Sequence, residues 1–193
     1  MNSKAQSWPP VPTEPVVAHP KAPLPGTELP MHYAECFGCG ADLEGGLHMR
    51  STVGEGHTVR ARFTVTEAHQ GAPGLAHGGL LACAFDEALG SLVGNLLRRP
   101  AVTGRLETDF RRPVPVGSTL FITARLDGLA GRKIYVSADG HLDAEDGPVA
   151  LQARALFVMV GFEHFTTHGH PQAMAKLVEA RREKPERDWD INP

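Results

Sequence analysis

Two carboxylates, Asp86 and Glu87, stand in the middle of HGGLLACAFDEALG, residues 77–90, a stretch that is otherwise apolar. An ionised carboxylate carried into apolar surroundings costs several kcal/mol unless it is paired, hydrogen-bonded or protonated. Adjacent residues on a helix point about 100° apart, so the two cannot share one environment. One can reach a rim or a salt bridge while the other faces a cleft, where a carboxylate can act as general base or nucleophile. Pairing of both with Arg98, Arg99 or strand arginines accounts for the spacing equally well.

The preceding GAPGLAHGG, residues 71–79, bears on that choice. Its Gly and Pro residues form a tight loop that delivers His77, Gly78 and Gly79 to a helix N-terminus. Unpaired N–H groups and the helix dipole favour negative charge there, which suits a carbonyl oxygen becoming an oxyanion. His77 could equally serve only to hold the loop. Asp86 lies nine residues beyond His77, about 13 Å along a helix axis, so the two cannot serve one carbonyl within a single chain. If they act together, an antiparallel homodimer must set Asp86 of one copy opposite the Gly78 and Gly79 amides of the other.

The elements that would position these groups are mostly strands. In HTVRARFTV, Val59, Ala61, Phe63 and Val65 alternate with polar residues, the period of a half-buried strand. GLHMRSTV pairs with it as a hairpin, and RLETDF, STLFITARL, RKIYVSADGHL and VALQARALFVMV supply four more strands. The single long helix, roughly Gly79 to Leu97, is apolar around most of its circumference and therefore predicts burial on nearly all sides. An α+β arrangement meets both patterns: a curved antiparallel sheet wrapped around one long central helix. Gly90 and Gly94, four apart, would permit close approach on one helix face, and Leu81 and Phe85 are expected to line part of a pocket.

CFGCG, GAPGLAHGGLLACAFDEALG, TGRLETDFRRPVPVG and GRKIYVSADGHL together resemble the hotdog-fold acyl-CoA thioesterases of the phenylacetic-acid-degradation (PaaI) and THEM4-like group, over roughly residues 35–160. The resemblance implies a CoA thioester substrate, hydrolysed without metal or other cofactor, and a homodimer or dimer of dimers whose sites are shared between protomers. It assigns Asp86 as nucleophile or general base, Gly78 as oxyanion donor supported by Gly79 and His77, and Thr103 as the hydroxyl that positions water or carboxylate. Gln70 takes the place where several relatives carry an Asn. Glu87 is the fallback carboxylate, since a sister branch uses Glu. Arg111, Arg112, Arg132 and Lys133 are candidates for the CoA phosphates. A non-catalytic acyl-CoA binding or sensing protein, and a hotdog enoyl-CoA hydratase, are the rival readings.

Charge and cysteine usage bound the rest. A formal net charge of −3, without a basic run, argues against nucleic acid, and three cysteines are too few for a secreted disulfide framework. Without a long uncharged apolar stretch or a signal-like N-terminus, the expectation is a cytoplasmic protein with no membrane association. Residues 1–34, rich in Pro, read as a tail, extended or draped over a partner; 35–163 as the hotdog domain; and 164–193 as a charged tail with a short helix before Pro185. Cys36 and Cys39 form a C-x-x-C that could hold zinc with His32 and His48, although the expectation is no metal. His164, His168 and His170 read as solvated, and Cys83 as a small buried residue.

Overall fold

The alternation read at 57–65 is carried into the computed structural model, which describes residues 7–182. Lys4 and the DWDINP end lie outside the described residues. Three strands come first: β1 (Glu28–Leu29), β2 (Arg50–Gly54) and β3 (Thr58–Thr64). Val59, Ala61 and Phe63 of β3 face inward while Arg60, Arg62 and Thr64 face out. A small hairpin, β4 (Gln70–Ala72) and β5 (Leu75–Ala76), leads into α1 (Gly78–Leu92), which runs on as a π-helical turn over Val93–Leu97. β6 (Ala101–Phe110), β7 (Thr119–Ala130), β8 (Lys133–Leu142) and β9 (Val149–Met159) follow, then α2 (Glu163–His168) and α3 (Pro171–Arg182).

Seven strands form one antiparallel sheet in the order β1-β2-β3-β7-β8-β9-β6. The strand that follows the helix is thereby sent to the far edge. α1 packs on β3, β6, β7, β8 and β9 and buries Leu81, Ala84, Phe85, Ala88, Leu89 and Leu92. Removal of this apolar area from water is the main stabilising term, at about 25 cal/mol per Å². β8 yields to the largest of these side chains at Gly140, where a Cβ would stand 2.7 Å from the Phe85 ring. By length and composition the stretch Gly78–Leu97 would suffice to cross a membrane. Here 56% of an 18-residue window of it is buried inside the fold, less than the burial on nearly all sides that its composition predicts, with Leu80, Ala82 and Cys83 left half-buried.

The Pro-rich segment read as a tail is laid along the chain's own sheet. The Trp8 indole donates to Asp127 Oδ2 at 2.9 Å and meets the Tyr135 ring edge-on, with centroids 5.4 Å apart. Glu14 N–H bonds Leu129 O and His19 N–H bonds Leu96 O, both at 2.8 Å. Val16 and Ala22 pack on the core, and β1 pairs with β2. Scattered apolar residues that cannot form a core of their own thus find the sheet, and the boundary expected at residue 34 falls inside the folded unit. The charged C-terminal stretch is helical through Arg182.

Candidate functional site

α1 carries Asp86 on the side facing β6. Thr103 Oγ1 donates a hydrogen bond of 2.8 Å to Asp86 Oδ1. Thr103 precedes a register shift in the β6–β9 ladder, so the threonine belongs to a locally irregular edge strand. Burial pushes the Asp86 carboxyl up, the Thr103 hydroxyl works against that, and the neighbouring Glu87 charge adds to it. Among the described residues no cation pairs with Asp86. Arg98 reaches Lys21 O at 3.4 Å and Arg99 reaches Met159 Sδ at 3.7 Å, so the ion-pair account of Asp86 does not hold.

At the other end of α1, His77 is the N-cap residue. Its N–H bonds His69 O at 2.8 Å, and its Nδ1 accepts the Gly79 N–H at 3.0 Å. The Gly79 amide is therefore engaged by His77, whereas the Gly78 N–H precedes any intrahelical acceptor. Gly78 lies against the exposed Phe110 ring, which a Cβ would approach to 3.4 Å. α1 is unbroken between Gly78 and Asp86, which stay about 12 Å apart and do not meet within one protomer.

Gln70 is placed on the loop before the helix and bound to it. Its Oε1 accepts the Gly74 N–H at 2.7 Å and its Nε2 donates to Glu67 O at 3.2 Å, so both polar atoms brace the loop. His69, which neither the helix pattern nor the His-Gly-Gly run points to, is the buried member of this loop, with its Nδ1 accepting the Thr66 N–H at 3.0 Å. The signal available was Thr66-Glu67-Ala68-His69, a polar N-cap followed three residues later by a side chain that can reach back.

The four cations proposed for phosphate do not form one patch within a protomer. Arg111 and Arg112 sit where their N–H groups bond Ala150 O, beside the Gly78 end of α1 through Phe110. Lys133 pairs with Val158, at the other end of β9 and about 26 Å away along the strand. Antiparallel strands carry the β7–β8 turn and the end of β6 to opposite margins of the sheet. Arg111 is further occupied by Asp109 at 3.3 Å and Gln152 at 3.2 Å.

Glu87 turns the other way from Asp86, into a group with His32, Cys36 and Cys39. His32 Nδ1 stands 3.3 Å from Glu87 Oε1, and the Cys36 Sγ is 3.6 Å from Oε2. Burial alone would push Glu87 up, but the hydrogen bond and charge of His32, helped by the two cysteines, hold it below the usual range. Burial opposes the charge on His32, yet Cys36 and Glu87 together push its pKa up to about 10. His48 lies outside this group and bonds Gly40 O at 2.8 Å. His164 and His168 lie together on α2, ring centroids 4.9 Å apart, without a third such ligand among the described residues.

One turn beyond Asp86, Gly90 and Gly94 open an apolar cavity of about 240 Å³, walled by Phe157 and His32 and covered by Phe165 and Met174 of the C-terminal helices. Leu81 and Phe85, expected to line a pocket, are sealed in the core instead, because their helix face is the one the sheet wraps. Cys83 is half-buried at the core margin.

Residues 73–147 match the model of a family described as the thioesterase superfamily. The chain is 37% identical over 98 residues to the acyl-coenzyme A thioesterase THEM4 of Bos taurus, covering 51% of this chain and 39% of that protein. It therefore spans about two fifths of the length of the curated relative it matches. Among solved structures, a thioesterase superfamily protein superposes with a TM-score of 0.56 at 29% identity, over 65% of this chain and 60% of the other. The Escherichia coli PaaI protein from the phenylacetic acid degradation operon superposes with a TM-score of 0.54 at 20% identity, over 60% and 81% of the respective chains, a likeness of fold.

Proposed function

We propose that this chain, which carries a hotdog-fold thioesterase-superfamily domain of the PaaI/THEM4 group, hydrolyses an acyl-CoA thioester to the free acid and CoA. The observation that carries this reading is Asp86: a half-buried carboxylate that no cation pairs among the described residues, oriented by Thr103, on a helix whose N-terminus offers the Gly78 amide. In the general-base course, Asp86 takes a proton from water as its oxygen bonds the thioester carbonyl carbon. The C–S bond then breaks, and the proton passes to the departing thiolate. In the nucleophilic course, an Asp86 oxygen bonds the carbonyl carbon as the C–S bond breaks and the thiolate leaves, and water then opens the resulting anhydride, releasing the acid, restoring the Asp86 carboxylate and giving a proton to the thiolate. In both, the oxyanion rests on the Gly78 N–H.

Because Asp86 and Gly78 of one chain are about 12 Å apart, the proposed site joins Asp86 of one copy to Gly78 of a second. β6 supports this reading. It is an edge strand of ten residues, and pairing with the same strand of a second copy would cover the edge and bring two α1 helices together antiparallel. Arg111 and Arg112 lie near the Gly78 end of α1, where CoA phosphates would be bound across such a dimer, while Arg132 and Lys133 are too distant to join them in one chain. The cavity at Gly90 and Gly94 favours an apolar acyl group.

The test is free-thiol release from a panel of short, medium, long and aromatic acyl-CoAs by the wild type and Asp86→Asn, with size-exclusion chromatography alongside. Turnover lost in the variant with the oligomer intact supports the reading. Tight acyl-CoA binding without turnover in either protein replaces it with the sensing module, and hydration of an enoyl-CoA without thiol release replaces it with the hydratase.

A further inference from the structure

We propose that His32, Cys36, Cys39 and Glu87 form a structural zinc site that fastens the irregular segment 30–49 to the central helix. One ligand atom from each of the four residues lies within 4.8 Å of all the others. Zinc bonds of about 2.0 Å to N or O and 2.3 Å to S place tetrahedral ligand atoms about 3.3 to 3.8 Å apart. The separations here are 3.3 Å from His32 Nδ1 to Glu87 Oε1, 3.6 Å from Cys36 Sγ to Glu87 Oε2 and 4.0 Å from Cys36 Sγ to His32 Nδ1. The contacts of His32 and Cys36 fall on different oxygens of Glu87, and the ligand atoms stand up to 4.8 Å apart, so closing on an ion asks for side-chain shifts of up to about 1 Å.

The donor set selects the metal. Two thiolates exclude Ca²⁺ and Mg²⁺, which take oxygen ligands, and a mixed S, N and O tetrahedron suits zinc. Four protein ligands leave no position for water, which makes the site structural rather than catalytic. An ion pair between His32 and Glu87 accounts for two of the four groups, but not for two thiols converging on the same point.

The surrounding backbone is arranged for these ligands. The His32 N–H points at Cys39 Sγ at 3.1 Å, the second-sphere donor that a metal-bound thiolate accepts. Gly40 N–H closes the C-x-x-C turn onto Cys36 O at 2.8 Å, and a side chain at Gly40 would strike the Cys36 backbone. Gly38 lies against the Glu87 carboxylate, where any Cβ would collide with it, so the glycine between the cysteines lets the helix residue enter. Leu47 N–H to Phe37 O and Met49 N–H to Gly38 O, at 2.8 and 2.9 Å, tie the turn to the approach of β2. The segment 30–49 contains no helix or long strand of its own, so the ion would supply order that backbone ladders do not. The inference is independent of thioester hydrolysis, and it departs from the metal-free expectation drawn from the sequence.

Metal analysis of the full chain, expressed in zinc-supplemented medium and dialysed, is expected to give one zinc per chain. Cobalt reconstitution is expected to give the intense visible bands of tetrahedral Co²⁺ with thiolate charge transfer in the near ultraviolet. Cys36→Ser and Cys39→Ser lose both signatures, Glu87→Gln binds at least about tenfold more weakly, and Cys83→Ser keeps the metal, because Cys83 lies outside the group. Should the cysteine variants fail to fold, the wild-type stoichiometry and cobalt spectrum decide on their own. Wild type without zinc, cobalt spectra of an oxygen-ligated octahedral ion, or a Cys36–Cys39 disulfide in the purified protein would each overturn the proposal.

Discussion

Thr103 and Asp86, seventeen positions apart, are joined by a 2.8 Å hydrogen bond between an edge strand and the central helix. The bond fixes one oxygen of the carboxylate and leaves the other to meet a substrate or a water. Thr103→Val is expected to lower kcat about ten- to a hundredfold through misorientation, with little change in KM, and Thr103→Ser to restore most of it. Steady-state kinetics on the best acyl-CoA of the panel check the split.

Asp86→Asn is expected to lower kcat by about a thousandfold or more while leaving the melting temperature unchanged or higher. Burial pushes this carboxyl up, so its ionised form costs the folded state free energy that a neutral amide of the same shape does not. A variant that loses activity together with its fold would assign Asp86 to stability instead. Thermal denaturation at neutral pH distinguishes the two.

Gly140→Ala should destabilise by about 1 to 3 kcal/mol, since the new methyl group would stand 2.7 Å from the fully buried Phe85 ring. Urea denaturation of the variant with and without Phe85→Leu measures it. The second substitution is expected to recover part of the loss.

Asp139 accepts from Arg125 Nη1 at 2.7 Å and from Gln152 Nε2 at 2.9 Å. Burial alone would raise its pKa, but these partners hold it below the usual carboxylate range. A depressed carboxyl contributes stability above its unfolded value and loses it as pH falls through the folded one. Asp139→Asn therefore costs about 1 kcal/mol or less at neutral pH, because the pair is partly solvated, and the difference from wild type closes on acidification. Melting temperatures of both proteins between neutral and acid pH check the direction.

Trp8→Ala removes the hydrogen bond to Asp127 and the edge contact with Tyr135 that hold the N-terminal arm. Limited proteolysis should cut the variant within about residues 7–20 much faster than the wild type, since cleavage tracks local opening. Equal rates would mean that the Glu14 and His19 bonds suffice.

Local pattern carried much of this architecture. Val59, Ala61 and Phe63 alternate strongly enough to place β3, and the apolar run after Gly79 requires a helix enclosed by sheet. The direction of each carboxylate was not legible, because Glu87 finds partners about fifty residues earlier in the chain, Cys36 fifty-one positions before it. The C-x-x-C suggests His32 and His48 as companions from nearness in sequence, yet His48 is exposed and bonds Gly40 O, and the helix supplies the fourth group. The four cations do not come together within one protomer for a related reason: antiparallel pairing returns neighbouring turns to opposite ends of the sheet. The N-terminal arm has the composition of an unstructured segment, and only the finished sheet gives its few apolar residues somewhere to lie.

The order of elements also has a consequence during synthesis. α1 leaves the ribosome when, of the described elements, β1 to β3 and the small hairpin are outside to receive it, while β6 to β9, which pack on it in the finished fold, are still in the exit tunnel or untranslated. For that interval the nascent chain displays a greasy helix with no wall on most sides, the condition in which partly made proteins aggregate or recruit chaperones. Slowed translation while α1 is outside the ribosome and the strands after it are not should therefore lower the soluble yield, and slowing before α1 emerges should not.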